Sequence, residues 1–190
     1  EAIATSARAG TRGNGRTVAL FVDTFSRYFE PENARAAIAV LTRAGYDVIV
    51  PRAPEGGRPL CCGRTFLAEG LVEQARIEAT RMLAALKPYV ARGVKVIGLE
   101  PSCLFTLKDE FLALLPGAEA KALAAHALMF EALVAEEAQS GRFAIEFAPL
   151  AMRTALVHGH CHQKAFAAVG AVSTALRLVP ELDFNIIEAS

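Results

Sequence analysis

The chain alternates short unbroken apolar runs with longer stretches whose apolar residues recur at helical spacing. Residues 17–23 (TVALFVD) form an apolar run between a basic lead-in and a polar turn, the pattern of a strand buried on both faces. Residues 31–45 follow with Ala34, Ile38 and Leu41 on one face and Gly45 where a C-cap belongs, which predicts a helix. Residues 46–50 (YDVIV) predict a second strand. The loop 51–60 carries three prolines and two glycines and delivers the chain to Cys61. The longest helical pattern spans residues 63–92, with Pro88 ending or kinking its last turn. Residues 95–99 (KVIGL) predict a third strand. Helices are expected over 104–115 and 118–139, separated by Pro116-Gly117, then a short strand over 143–147. Thr154–Val157 reads as a fourth buried strand, followed by a helix over 165–178 and a final strand over 184–187.

Strands alternating with helices imply right-handed βαβ units and a mainly parallel sheet with helices on its faces, an α/β fold of three layers in the Rossmann style. That order gives the unusual residues one address. Thr24, Cys103 and Cys161 each fall just beyond the carboxyl end of an expected strand, and Cys61-Cys62 open a helix after a strand and loop. Ligands of open α/β sheets bind at that edge. Asp23 and Glu100 also stand at strand ends, where a loop or capping role is the plainer reading.

Composition narrows the classes. Of 190 residues, 53% are hydrophobic and 21% charged, with 20 Lys+Arg against 20 Asp+Glu. A balanced charge gives no nucleic-acid footprint, which needs clustered excess Lys and Arg. No apolar run approaches the roughly 20 residues of a membrane span. Residues 118–138 come nearest, but Lys121, His126, Glu131, Glu136 and Glu137 interrupt them. His126 there reads as a packed or surface histidine. Residues 1–16 are polar, Gly-rich and aperiodic, and are expected to be a linker. Their glycines precede a strand and lack the Gly-Lys-Ser/Thr ending of a phosphate loop.

Four cysteines, two of them adjacent, do not make a secreted disulfide scaffold. Buried structural thiols are the plain alternative to metal or redox chemistry. Thiolate is a soft ligand suited to zinc and iron–sulfur groups. Cys61 and Cys62 near a helix start are expected to ionise more readily, and Gly63 to let the backbone approach a bulky group. Adjacent cysteines suit a multi-iron cluster better than one tetrahedral zinc. The run His158-Gly159-His160-Cys161-His162 offers four more donors, and a zinc site built on it is the alternative there.

The combination of Cys61-Cys62-Gly63, Pro101-Ser102-Cys103 and His158–His162 resembles the cysteine-rich CCG domain. That domain occurs in the B subunit of heterodisulfide reductase, in the iron–sulfur subunits of glycolate oxidase and anaerobic glycerol-3-phosphate dehydrogenase, and in lactate-utilisation proteins. Residues 20–37 (LFVDTFSRYFEPENARAA) are similar to proteins in which the domain follows an FAD-linked oxidase and a ferredoxin-like segment. The family pattern is a pair of repeats, each running from a single Cys to CCG to Cys-x-x-Cys. Here Thr24 stands at the first single Cys and Thr106 at the second Cys of Cys-x-x-Cys, while Cys161 begins the second repeat. The resemblance divides the chain into a linker (1–16), a first repeat with a helical extension (17–150) and an incomplete second repeat (151–190), whose own CCG is expected past Ser190.

The resemblance implies an electron-transfer domain that is not catalytic alone. Its [4Fe–4S]-type cluster is held by Cys61, Cys62, Cys103 and Cys161 with Gly63 beside it, and His158, His160, His162, Thr24 and Thr106 surround those ligands. FAD lies elsewhere in the parent enzyme, an oxidoreductase acting on a small 2-hydroxy acid such as lactate or glycolate. The partners are the parent's flavin and ferredoxin-like domains and a quinone or other acceptor, in the cytoplasm or at the inner face of its membrane. With two threonines in place of cysteines, this chain alone is expected to bind its cluster weakly or not at all. Heterodisulfide-type thiol chemistry at Cys61/Cys62 and a docking module that has lost its cluster are the alternatives.

Overall fold

A computed structural model describes residues 16–187. It has the expected α/β character. The chain forms two compact units that divide after Met129.

In the first unit, β1 (Thr17–Phe21), β2 (Asp47–Ile49), β3 (Lys95–Gly98) and β4 (Ala127–Met129) form one parallel sheet in the order β2-β1-β3-β4. Register is set by pairs such as Ala19↔Ile49, Leu20↔Ile97 and Ile97↔Leu128. The central strands are covered on both sides: Val18, Ala19, Leu20, Val96 and Ile97 are all buried. This is why β1 and β3 read as continuous apolar runs rather than alternating ones.

The helices of this unit are α1 (Thr24–Tyr28), α2 (Pro31–Arg43), α3 (Arg64–Ala68), α4 (Val72–Val90), α5 (Pro101–Lys108), α6 (Glu110–Leu114) and α7 (Ala118–His126). Right-handed crossovers running one way from β1 to β2, and the other way through β3 to β4, put α2 on one face and α4 with α5–α7 on the other. The packing of α4 on α7 and of α5 on both β3 and β4 agrees. Met82, Leu86, Leu104, Leu107, Phe111 and Leu123 fill that second layer, each essentially without solvent exposure.

Four expectations change, the helix expected over 104–115 being α5 and α6. The helix expected over 63–92 is two helices. Gly70, at φ +74°, ends α3 with its N–H on Leu67 O, and the Leu71 N–H closes on Phe66 O, a Schellman ending. The helix expected over 118–139 is broken by β4. Lys108 Nζ donates to the carbonyls of Ala124 and Ala127, both at 2.9 Å, taking up acceptors that continuing the helix would need. Residues 24–28, where only a polar turn is expected, form α1 because Asp23 caps them.

The second unit holds α8 (Phe130–Gln139), β5 (Thr154–Val157), α9 (Cys161–Ala165), α10 (Val169–Leu176) and β6 (Asp183–Ile186). β5 and β6 pair in parallel as a separate two-stranded sheet, and α10 packs on α8. β5 is not the buried strand its composition suggests, since Thr154 and Leu156 are exposed. Residues 143–147 form no strand; Phe143 and Phe147 stack on each other instead, with centroids 6.2 Å apart. Among the described residues, no helix is long and apolar enough to cross a membrane.

Candidate functional site

The order β2-β1-β3-β4 makes the carboxyl ends of β1 and β3 a topological switch point, where crossovers leave in opposite directions and where open α/β sheets generally bind ligands. Both strands end in the same device. Beyond β1, the buried Asp23 caps α1: Oδ1 accepts from the N–H groups of Phe25 (2.8 Å) and Ser26 (3.0 Å), and Oδ2 from the Ser26 hydroxyl (2.6 Å). Beyond β3, Glu100 caps α5, accepting from Ser102 N–H (3.1 Å), the Ser102 hydroxyl (2.6 Å) and Cys103 N–H (2.6 Å). The capping role read from sequence for both acids holds. Glu100 therefore fixes the backbone that presents Cys103. Those bonds to Ser102 and Cys103 outweigh the upward push of its burial, so its carboxyl stays below the usual carboxylate range.

Cys61 and Cys62 arrive from β2 through the loop 51–60, which is pinned to α4. Glu78, 1% exposed, takes both terminal nitrogens of Arg58 and one of Arg81 (2.8 Å). Arg81 also holds Glu55 (2.6 Å) and the Arg58 carbonyl (2.9 Å). Gly63 then turns the chain at φ +80°. A Cβ there would lie 3.1 Å from Ala75 O and 3.3 Å from both Ala75 Cα and Glu78 Cβ. Glycine is thus required by close packing on α4 as well as by the left-handed turn. Arg64 at the start of α3 pairs with Glu110 of α6, tying the motif to the layer that carries Cys103.

The result is a row of thiols. Cys62 Sγ lies 3.1 Å from Cys103 Sγ, and Cys61 stands next to Cys62 in the chain with its Sγ accepting from Gly63 N–H. Cys62 and Cys103 are buried and Cys61 is half-buried. The expected easing of ionisation by the helix start is not found. The hydrogen bond to Cys62, then burial, pushes the Cys61 thiol well above its ordinary value, although the Gly63 N–H (3.4 Å) opposes this. The bond to Cys103 and burial likewise push Cys62 up. For Cys103 the bond to Cys62 lowers the pKa, but burial and the negative charges of Glu100 and Asp23 more than offset it. The physical reason is that α3 has only five residues, and its dipole is small beside the burial and the mutual bonding of the thiols.

The remaining candidates divide between the units. Thr24 is the exposed first residue of α1. Thr106 is fully buried, and its hydroxyl donates to Ser102 O (2.8 Å) within α5. His158, His160, Cys161 and His162 belong to the second unit. There His160 is the N-cap of α9: its Nδ1 accepts from His162 N–H (3.1 Å), its own N–H donates to Gln163 Oε1 (3.0 Å), and Gln163 donates to Glu131 (2.6 Å). The His160 and His162 rings stack with centroids 5.2 Å apart, His158 is exposed, and Cys161 is the exposed first residue of α9. Among the described residues, no group of three or more His, Cys, Asp or Glu is placed to hold a single metal ion. Sequence reasoning passed over the Arg58–Glu78–Arg81 clamp; two arginines around a helix-borne glutamate carry no spacing signal. In kind, the donors of the first unit fit a thiophilic group, with Cys62 and Cys103 in contact and Cys61 beside them. In number they fall one short of the four thiolates a [4Fe–4S] cluster takes.

Compared with known proteins, 173 residues (90% of this chain) align at 24% identity with the C subunit of anaerobic glycerol-3-phosphate dehydrogenase from Escherichia coli strain K12. The protein of the same name from Escherichia coli O157:H7 gives the same figures. The alignment spans 42% of the length of each of these curated relatives. No family model matches the chain, and no solved structure matches it.

Proposed function

We propose that this chain carries electrons within a flavin-linked dehydrogenase, through an iron–sulfur cluster bound by Cys61, Cys62 and Cys103. The observation that carries the reading is the convergence of these three thiols, from two distant chain segments, on the β1/β3 switch point. The likeness to a dehydrogenase subunit supports it. When bound, the cluster supplies a one-electron relay. The chain's own residues position it: Glu100 fixes Cys103, the Glu78 clamp and Gly63 fix Cys61-Cys62, and the apolar layer above β3 keeps water from the sulfurs. A fourth ligand comes from outside the first unit, Cys161 or another segment of the parent protein. This chain alone therefore holds its cluster weakly or not at all. The histidines around Cys161 tune that ligand's surroundings through hydrogen bonds. The partners are the flavin-bearing and ferredoxin-like parts of the parent and a quinone-type acceptor, and the substrate is a small 2-hydroxy acid. Glycerol 3-phosphate, after the name of the relatives, is the comparison substrate.

The test is anaerobic and uses the parent enzyme. With Cys62→Ser or Cys103→Ser, substrate should still bleach the flavin, while electron delivery to a quinone analogue falls at least about a hundredfold and bound iron drops. Unchanged delivery in both variants would leave the thiols a structural role only. A second reading is favoured by the 3.1 Å contact itself: Cys62 and Cys103, rather than Cys61 and Cys62, form a disulfide while reducing a substrate disulfide. It requires disulfide consumption by the holoenzyme, which the electron-relay reading does not.

A further inference from the structure

A second recess lies at the same edge of the sheet, on the β1/β2 side. It has a volume of about 240 Å³, and its wall runs from Val50 through the loop to Leu60, with Arg27 of α1 closing it. Three of the side chains lining it are arginines, Arg27, Arg52 and Arg58, and none is Asp or Glu. The arginines are not equivalent. Arg58 is neutralised by Glu78, which holds both of its terminal nitrogens. Arg27 and Arg52 form no ion pair among the described residues, and the buried Nε of Arg27 has no hydrogen-bond partner. A buried guanidinium N–H without an acceptor is costly, and such groups normally meet a protein acceptor, water or a ligand. Gly56 and Gly57 carry the loop past the recess at φ +73° and +75°, with open space where a side chain would stand.

We propose that this recess binds a phosphate group. The two uncompensated guanidiniums supply two positive charges and planar forks of N–H donors, which match the several oxygens and near-double charge of a phosphate. A single carboxylate offers one negative charge and would leave one guanidinium unneutralised. The site does not depend on the electron-relay reading, since none of its charged residues is a thiol or touches one by hydrogen bond. It adjoins that site through the chain, Leu60 being followed by Cys61, and through Glu78, which holds Arg58.

The test is calorimetric titration of the full chain with inorganic phosphate and, separately, with methyl phosphate, using acetate at matched ionic strength for comparison. We expect saturable one-to-one binding of a phosphate species, weakened about tenfold or more by Arg52→Met and by Arg27→Lys, which keeps the charge but loses the fork. Tighter binding of methyl phosphate would identify an ester as the ligand, and tighter inorganic phosphate the free anion; either order supports the proposal. Arg35→Met, an exposed change on α2, should leave binding as it was. Because Arg27 is partly buried, thermal melts accompany its variant, and the exposed Arg52→Met decides the outcome if that variant unfolds. No saturable heat with either phosphate, affinity unchanged in Arg52→Met, or acetate binding as tightly as phosphate would each overturn it.

Discussion

Gly63 shows how one residue sets the geometry of the thiol row. Its left-handed turn and its contact with α4 act together, so alanine there is penalised twice. A non-glycine residue at such a φ costs on the order of 1–2 kcal/mol, and displacing the Ala75 backbone adds to that. Gly63→Ala should therefore lower the melting temperature by several degrees, about 2–4 °C for each kcal/mol in a chain of this size. It should also raise the reactivity of Cys62 toward a thiol reagent, as the row loosens. A variant that melts with the wild type and keeps Cys62 protected would show that the turn tolerates a side chain. Gly98 poses the same steric problem at the end of β3, where a Cβ would meet Leu104 Cδ1 at 2.8 Å. Its lack of a side chain lets α5 settle close enough to bring Cys103 to Cys62.

Among the elements, the loop 51–60 decides whether Cys61-Cys62 reach Cys103 at all, and Glu78 is what holds it. Burial raises the Glu78 pKa, yet hydrogen bonds and charge from Arg58 and then Arg81 outweigh this and hold the carboxyl below its usual range. With a depressed folded-state pKa, its stabilisation is complete above the unfolded value of about 4.3 and is lost as pH falls through the folded value. Melts between about pH 3 and about pH 7 should show stability falling at the acid end, and Glu78→Gln should flatten that part of the profile. At neutral pH the same variant should cost ~2 kcal/mol. This is less than the loss of a fully buried pair, because Arg58 is 57% exposed and solvent screens it. An unchanged acid limb in Glu78→Gln would place the acid sensitivity on other carboxylates. The clamp also orients Arg58 in the wall of the phosphate recess, so the loop serves two sites from one anchor.

Across the whole molecule, the two units differ in how their strands are protected. β1 and β3 are central in a four-stranded sheet covered on both faces, whereas β5 and β6 form an isolated pair with exposed positions. Two-stranded sheets have little independent stability. Hydrogen exchange should accordingly leave the amides of Leu20, Val96 and Ile97 slowest, and those of β5 and β6 faster by orders of magnitude. Equal protection in the two sheets would mean that the chain opens only as a single cooperative body. The site-bearing edge lies on the stable unit, which suits a role that asks the sulfurs to stay fixed.

The sequence by itself determined the strands β1, β2 and β3, the α/β class, the place of Cys103 just beyond β3 and the capping role of Asp23 and Glu100. Each follows from local signals: unbroken apolar runs, helical spacing, and acids at strand ends. What only the tertiary structure decided involves partners far apart in the chain. Ala127–Met129 reads as helix because alanine and leucine favour one, yet β3 recruits it as a strand and Lys108 takes the carbonyls at its start. Cys62 meets Cys103 across 41 residues, and Glu78 reaches back to Arg58, by contacts that no periodicity encodes. The ionisation of the thiols was misjudged for the same reason. Helix position is legible in sequence, but burial and a neighbouring sulfur exist only once the chain has closed on itself.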